Sequence, residues 1–257
     1  MDKELFNAVE QSIEYMKNHL EEEITSEELA AKFGYSTYHF LRGFKEVTGV
    51  TPRHFLSALR IEACKEILSS PSNSILKSLL SVGYKSIGSF SSRFKQFVGQ
   101  SPNQFKTKSD FLYHYIHQYN EKSGYPSQLT VSSTITCHIN SPPTFKGLIF
   151  VGLFPRPIPD QRPILGGVLN NGGTYIFSKV PEGTFYILAA AIHWSKNPKD
   201  YFVLNKSLRG KFDHAIKVKK ETIAEVTINL REPMPYDPPI LINLPMLLFE
   251  NEQSRRN

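Results

Sequence analysis

The sequence has little of what marks several protein classes. Only two cysteines occur in 257 residues. Cys64 and Cys137 cannot build a disulfide framework, and neither has metal-ligand spacing. The longest uninterrupted apolar run, Phe185 to Ile192, is eight residues, far short of the roughly 20 needed to cross a bilayer. The first ten residues are acidic and amphipathic, without a basic start or an apolar stretch, so no secretory signal is expected. The expected location is the cytoplasm. There is no Gly-rich phosphate loop, nucleophile elbow or paired-carboxylate motif, and no catalytic residue is expected. His114 and His117, three apart on a predicted helix, are at most half a metal site. No metal and no cofactor are expected.

What remains is enough to fold. Hydrophobic residues make up 40% and charged residues 21% of the chain, which supports real cores and, at this length, two domains. Charge is uneven. Leu29–Lys108 holds twelve Lys and Arg against Glu46, Glu62 and Glu66, a net of +9, whereas Met1–Glu28 is −7 and Ser109–Asn257 is +4. A basic stretch of this size suits phosphate, and it also suits a merely solubilising surface.

The basic region contains a repeat. Phe44-Lys45-x-x-x-Gly49-x-Thr51-Pro52-x-x-Phe55 recurs as Phe94-Lys95-x-x-x-Gly99-x-Ser101-Pro102-x-x-Phe105, and Ser36 and Phe40 recur as Ser86 and Phe90. Gly34-Tyr35 matches Gly83-Tyr84. This is a duplicated supersecondary unit. Each copy reads as helix, tight turn, helix, over about 26–47 and 74–97. In the first, Thr25 and Glu28 form a capping box, and Gly34 suits the left-handed residue that closes the helix. Ser36 caps the next helix, over Thr37–Val47, with Phe40 and Phe44 on its inner face and Gly49 at its end. Thr51-Pro52 then starts a rod over Pro52–Leu68, with Phe55, Leu59, Ala63, Ile67 and Leu68 as its apolar stripe.

Ser26-Glu-Glu-Leu29-Ala30, Ser36-x-x-x-Phe40-x-Arg42-x-Phe44-Lys45, Arg60-Ile61 with Ala63-Cys64, and Gly83-Tyr84 resemble the DNA-binding domain of the AraC/XylS transcription regulators. The resemblance covers roughly Asn7–Lys108. It implies a seven-helix module whose two recognition helices enter adjacent major-groove segments of promoter DNA. Arg42 stands where the family usually has an arginine that reads bases; on residue grounds it could instead pair with Glu46 on the surface. Tyr38 suits a thymine methyl, a phosphate or the Arg42 stem. Leu41 and Lys45 lie on the remaining faces, and Ser36 and Thr37, at a helix start, suit phosphate.

The second copy departs from the pattern. Ser92 replaces Arg42, with Arg93 one residue later, and Ile87 and Gly88 offer base edges no hydrogen bond. This unit is expected to position the protein through Lys85, Ser86, Ser89, Ser91, Arg93 and Lys95, with Ser92 at the groove. A rotation by one residue would instead bring Arg93 there.

Residues 109–126 read as a helical linker and 251–257 as a polar tail. Between them, 127–250 carries short runs rich in Val, Ile, Thr, Phe and Tyr between Gly, Pro and Asn clusters. The strand candidates are Leu129–Ile139, Phe145–Phe154, Ile164–Leu169, Thr174–Phe177, Thr184–His193, Tyr201–Leu204, His214–Val218, Thr222–Leu230 and Ile240–Leu248. The expected fold is multidomain, α then β: an all-α double helix-turn-helix domain followed by an antiparallel β-sandwich. Gly173-Thr-Tyr175-x-Phe177-x-x-Val180-Pro181-x-Gly183-x-Phe185-x-x-Leu188-Ala189 is similar to the hairpin of carboxypeptidase-regulatory or transthyretin-like sandwiches. That resemblance implies protein or carbohydrate contacts rather than catalysis. His193 and Trp194 are candidate ligand contacts, with core packing as the other reading.

The expected function is sequence-specific regulation of transcription, with the C-terminal domain sensing an effector or contacting a partner. Expected partners are double-stranded promoter DNA and, further, RNA polymerase, a small-molecule effector or protein partner, and a second copy of the chain; no membrane is among them. Two alternatives stand beside it. One is a carbohydrate-binding or enzymatic β-domain tethered to a DNA-binding module, the other an architectural binder with little sequence preference.

Overall fold

A computed structural model describes residues 2–70, 72–119 and 133–256. The chain divides into two compact units: Met1–Ser109 with Met234–Asn243, and Asp110–Pro233 with Leu244–Asn257. The order is helical, then sheet-rich.

Seven helices build the first unit. They are α1 (Lys3–Asn18), α2 (Ser26–Lys32), α3 (Thr37–Thr48), α4 (Pro52–Leu68), α5 (Ile75–Leu80), α6 (Ile87–Val98) and α7 (Pro102–His117), the last of which runs on into the second unit. Local signals set their ends. The capping box at Thr25 forms in full, with the Glu28 amide donating to Thr25 Oγ1 at 3.1 Å and the Thr25 amide to the Glu28 carboxylate at 2.8 Å. The Thr51 hydroxyl accepts from the His54 amide, and Pro52 occupies the first turn of α4. The stripe of α4 is displaced from the expected one. Ile61, Cys64 and Lys65 are buried there, whereas Ala63 and Ile67 are only half-buried.

The first 109 residues pack around aromatic rows. Phe40, Phe44 and Phe55 follow one another at 5.9 and 5.6 Å between ring centroids. Phe90, Phe94 and Phe105 repeat this at 5.5 and 5.6 Å. All six rings are fully buried, and burying each contributes on the order of 2–3 kcal/mol.

Among the described residues, the second unit holds two sheets. One has the order β4-β1-β8, from β1 (Thr134–Asn140), β4 (Gly173–Phe177) and β8 (Ile223–Asn229). The other has the order β3-β2-β5-β6, from β2 (Gly147–Phe154), β3 (Leu165–Asn170), β5 (Gly183–His193) and β6 (Leu208–Lys211), with β7 (Ile216–Val218) against β5. Ile135, Cys137 and Ile228 of the first sheet and Ile149, Leu153 and Ile187 of the second share one core.

Several expectations are corrected here. The sheets are not wholly antiparallel, because β1 and β8 pair in parallel from Thr134↔Ile223 to Asn140↔Asn229. The hairpin expected over Gly173–Ala189 does not form. β4 pairs with β1 and β5 with β2, so the two strands belong to different sheets. Lys179, at φ 54°, turns the chain between them, and the Val180 amide bonds to the Ser133 carbonyl. Tyr201–Leu204 is no strand. A 3-10 turn over Pro198–Tyr201 places the Tyr201 hydroxyl between the Ser195 amide and carbonyl. Ile240–Leu248 is no strand either; its second half begins helix α8 (Leu244–Arg256). Residues 251–256, read as a tail, continue that helix. Residues 109–117 of the expected linker are helix α7, and 120–132 lie outside the described residues.

Candidate nucleic-acid interface

The two repeats place two helices in equivalent settings. In each unit a glycine in the left-handed region ends the first helix, Gly34 at φ 79° and Gly83 at φ 84°. A second ends the other helix, Gly49 at 80° and Gly99 at 87°. The turn at Gly83 is the tighter one: a Cβ there would stand 2.6 Å from the Leu20 carbonyl oxygen, whereas Gly34 has open space.

Helix α3 turns Phe40 and Phe44 inward, which leaves Tyr38, Arg42 and Lys45 exposed and Thr37 and Leu41 half-buried. Tyr38 is 77% exposed, which for so large a ring leaves nearly the whole face open. Arg42 has neither a hydrogen bond nor an ion pair to Glu46 or any other described residue. Ser36 begins α3 without a side-chain capping bond, so its hydroxyl and the first amides of the helix face solvent together.

Helix α6 differs at the same places. Ser86 is committed to its own helix, accepting from the Ser89 amide at 3.2 Å and meeting the Ser89 hydroxyl at 2.8 Å. Lys85 forms an ion pair with Glu23, whose carboxyl is held below its ordinary range by that ammonium. Ser92 and Lys95 are exposed, and Ser91 is half-buried. Ile87 is 53% exposed, and Gly88 has no atom near where a Cβ would stand.

Arg93 is explained by the repeat. Its counterpart fifty residues earlier is Gly43, which α1 covers so closely that a Cβ would stand 2.5 Å from Leu5 Cδ2. The second unit leaves this side of the helix open. There Arg93 bonds to the Gln96 side chain at 3.0 Å and lies over the Phe97 ring at 5.8 Å. It lies one residue, about 100° of helix, round from the place of Arg42.

The partners of three polar side chains have no local signal in the sequence. Arg60 ties the α1–α2 turn, donating to the carbonyls of Leu20 and Glu22 at 2.7 and 2.6 Å; the (i, i+40) separation gives no local signal. Lys65 is fully buried. Its place four after Ile61 and three before Leu68, both buried, was the available hint. His138 bridges Thr174 and Glu225 across three strands at 2.9 and 2.6 Å, a grouping visible only once the parallel pairing is known.

In the second unit His193 and Trp194 are both exposed. His193 lies against Phe145 at 4.7 Å between centroids, and Trp194 against His117 at 5.7 Å. Cys64 and Cys137 are buried, and burial pushes each thiol up to about 12, so neither is an activated nucleophile. Among the described residues no three His, Cys, Asp or Glu side chains group as metal ligands. No described helix is long and apolar enough to cross a membrane.

Residues 29–108 match the family model for a helix-turn-helix domain. Those residues are a helix-turn-helix domain. Over 98 residues the chain is 35% identical to an uncharacterized HTH-type transcriptional regulator of Staphylococcus aureus, covering 38% of this chain and 13% of that one. Over 95 residues it is 36% identical to the MmsAB operon regulatory protein of Pseudomonas aeruginosa, covering 37% and 31%. The chain thus spans only a small part of these relatives' lengths. Among solved structures, the C-terminal domain of AraT, a response regulator from Geobacillus stearothermophilus, aligns at a TM-score of 0.38 and 25% identity, covering 47% of this chain and 94% of that one. The DNA-binding domain of AdpA, solved in complex with a target DNA, aligns at 0.38 and 23%, covering 40% and 93%. In the helix-turn-helix domain of this chain, α3 and α6 are the second helices of the two units, and α4 is the rod that joins them.

Proposed function

We propose that this protein is a sequence-specific DNA-binding regulator of transcription that works in the cytoplasm and seats α3 and α6 in adjacent major-groove segments. One observation carries the reading: Arg42, without a partner among the described residues, stands on the exposed side of α3 between Tyr38 and Lys45. An arginine so placed meets guanine O6 and N7 in a bidentate pair, which contributes about 1–3 kcal/mol of discrimination. Ser36 and Thr37, with the first amides of α3, take a phosphate, and Leu41 lies beside Tyr38 against a base.

Helix α6 holds register rather than reading sequence. Ser89, Ser91, Ser92, Arg93 and Lys95 contact backbone phosphates, with Ser86 shaping the helix start and Lys85 exchanging Glu23 for phosphate. The sheet-rich unit, a two-sheet module of the sandwich kind, senses an effector or contacts a partner, RNA polymerase or a second copy of the chain. His193 and Trp194 are the first residues to substitute there.

The polar but non-reading surface of α6 favours a second reading, an architectural binder. Binding of the full-length protein to DNA upstream of its own gene and to scrambled DNA, across a salt series, separates the two. A regulator keeps a site preference at about 0.15 M salt, whereas an architectural binder loses all sequences alike, with a log–log slope near −0.9 per phosphate contact.

A further inference from the structure

Ten residues from far along the chain, Met234–Asn243, belong to the helical unit. This segment touches three of its helices. Tyr236 meets Phe6 of α1 edge-to-face at 5.4 Å. The Leu241 carbonyl accepts from Lys65 Nζ of α4 at 3.0 Å. The Asn243 amide donates to the carbonyl of Val98, the last residue of α6, at 3.2 Å. Ile240, Leu241 and Ile242 between them are buried.

The helices held are the ones that set the distance between α3 and α6. α4 joins the two repeats, and α6 is itself a recognition helix. Lys65 is fully buried at 0% exposure, and a buried ammonium is costly unless its bonds are met. A carbonyl brought by a segment some 170 residues away is therefore a strong tie. Nothing in the repeat requires a lysine there, since a helical stripe is completed as well by leucine.

We propose that Lys65 is a positioning residue, which seizes the 234–243 segment as a clamp and so fixes the spacing between the two recognition helices. The clamp enters and leaves by way of the sheet-rich unit, at Pro233 and Leu244. A change in that unit then reaches the DNA-reading helices through this segment. The consequence for DNA rests on the regulator reading above; the mechanical claim does not.

The test is therefore free of DNA. Nitroxide labels at Glu46→Cys on α3 and Gln96→Cys on α6 report the distance between the helices, and the buried Cys64 and Cys137 escape labelling. In the full chain a narrow distance distribution is expected. Lys65→Met, which keeps the apolar stem, and Asn243→Pro, which removes the amide that holds Val98, should each broaden it in protein whose circular dichroism is unchanged. A broad distribution in the wild type, or an unchanged one in either folded variant, overturns the clamp. On DNA selected by the wild type from a random pool, the same variants should bind about tenfold more weakly and tolerate one added base pair between the two contact sites. Failure of the wild type to select any sequence would count against the regulator reading and leave the distances to decide the clamp.

Discussion

The two helix-turn-helix units share a skeleton and differ on the surface. Their ring rows, at 5.9 and 5.6 Å against 5.5 and 5.6 Å, and their glycine caps are nearly superposable in kind. Outside the core, Glu27 becomes Leu76, Tyr38 becomes Gly88 and Arg42 becomes Ser92, and Gly43, buried under α1, becomes the exposed Arg93. A duplicated core therefore says that both units fold, and nothing about whether both read DNA. On the reading proposed above, readout would reside in a few positions that packing leaves free.

The largest effects should come from the shared core. Phe44→Ala and Phe94→Ala each remove the middle ring of a buried row and should cost about 3–5 kcal/mol in urea unfolding. A loss confined to one of them would show the rows to be alike in geometry only. The surface should behave oppositely. Arg42→Ala should weaken binding to the preferred DNA by about 1–3 kcal/mol and blur one base pair, while Ser92→Ala changes little; equal losses in a titration would erase the division of labour.

The caps offer a finer comparison. Placing alanine at Gly34 costs about 1–2 kcal/mol for the left-handed backbone alone. Gly83→Ala should cost more, because the Cβ also meets the Leu20 carbonyl. Thermal melts of the pair measure the difference.

On the rod between the units, burial lowers Lys65 from 10.5 to about 8, with Glu62 opposing. The native state then holds fewer protons than the unfolded chain between those values, so stability should rise from about pH 8 toward 10.5. Tyr84, raised by burial, works against this at the upper end, so the measured quantity is the difference from Lys65→Met, in which the rise disappears. Smallest is Gly88→Ala, which fills open space in the first turn of α6 and should stabilise by about 0.4–1 kcal/mol.

What could be read in advance follows from the range of the forces involved. Thr51-Pro52 sets the start of α4, because a cap and a proline act within one turn. The surface of α3 follows from the same periodicity that buries Phe40 and Phe44. Long-range features had no such trace. The β1–β8 pairing joins strands some ninety residues apart, and Lys65 looks like any surface lysine until Leu241 arrives. Ile240–Leu248 has the composition of a strand, yet its first residues are buried against helices and Leu244 opens α8. Composition alone leaves Trp194 open between core and ligand cleft; in the structure it is 41% exposed, with its ring against His117.

The parallel pairing of β1 with β8 sets an order of events during synthesis. Hairpin contacts such as β2 with β3 close as soon as both strands leave the ribosome. β1, among the first of its unit to emerge, must wait for residues 223–229 before it has its parallel neighbour. Until then it presents an open edge of the kind that recruits other chains. A nascent chain halted before Asn229 would carry that open edge behind a helical unit still lacking Met234–Asn243, so quality-control proteases would meet both halves of the protein incomplete.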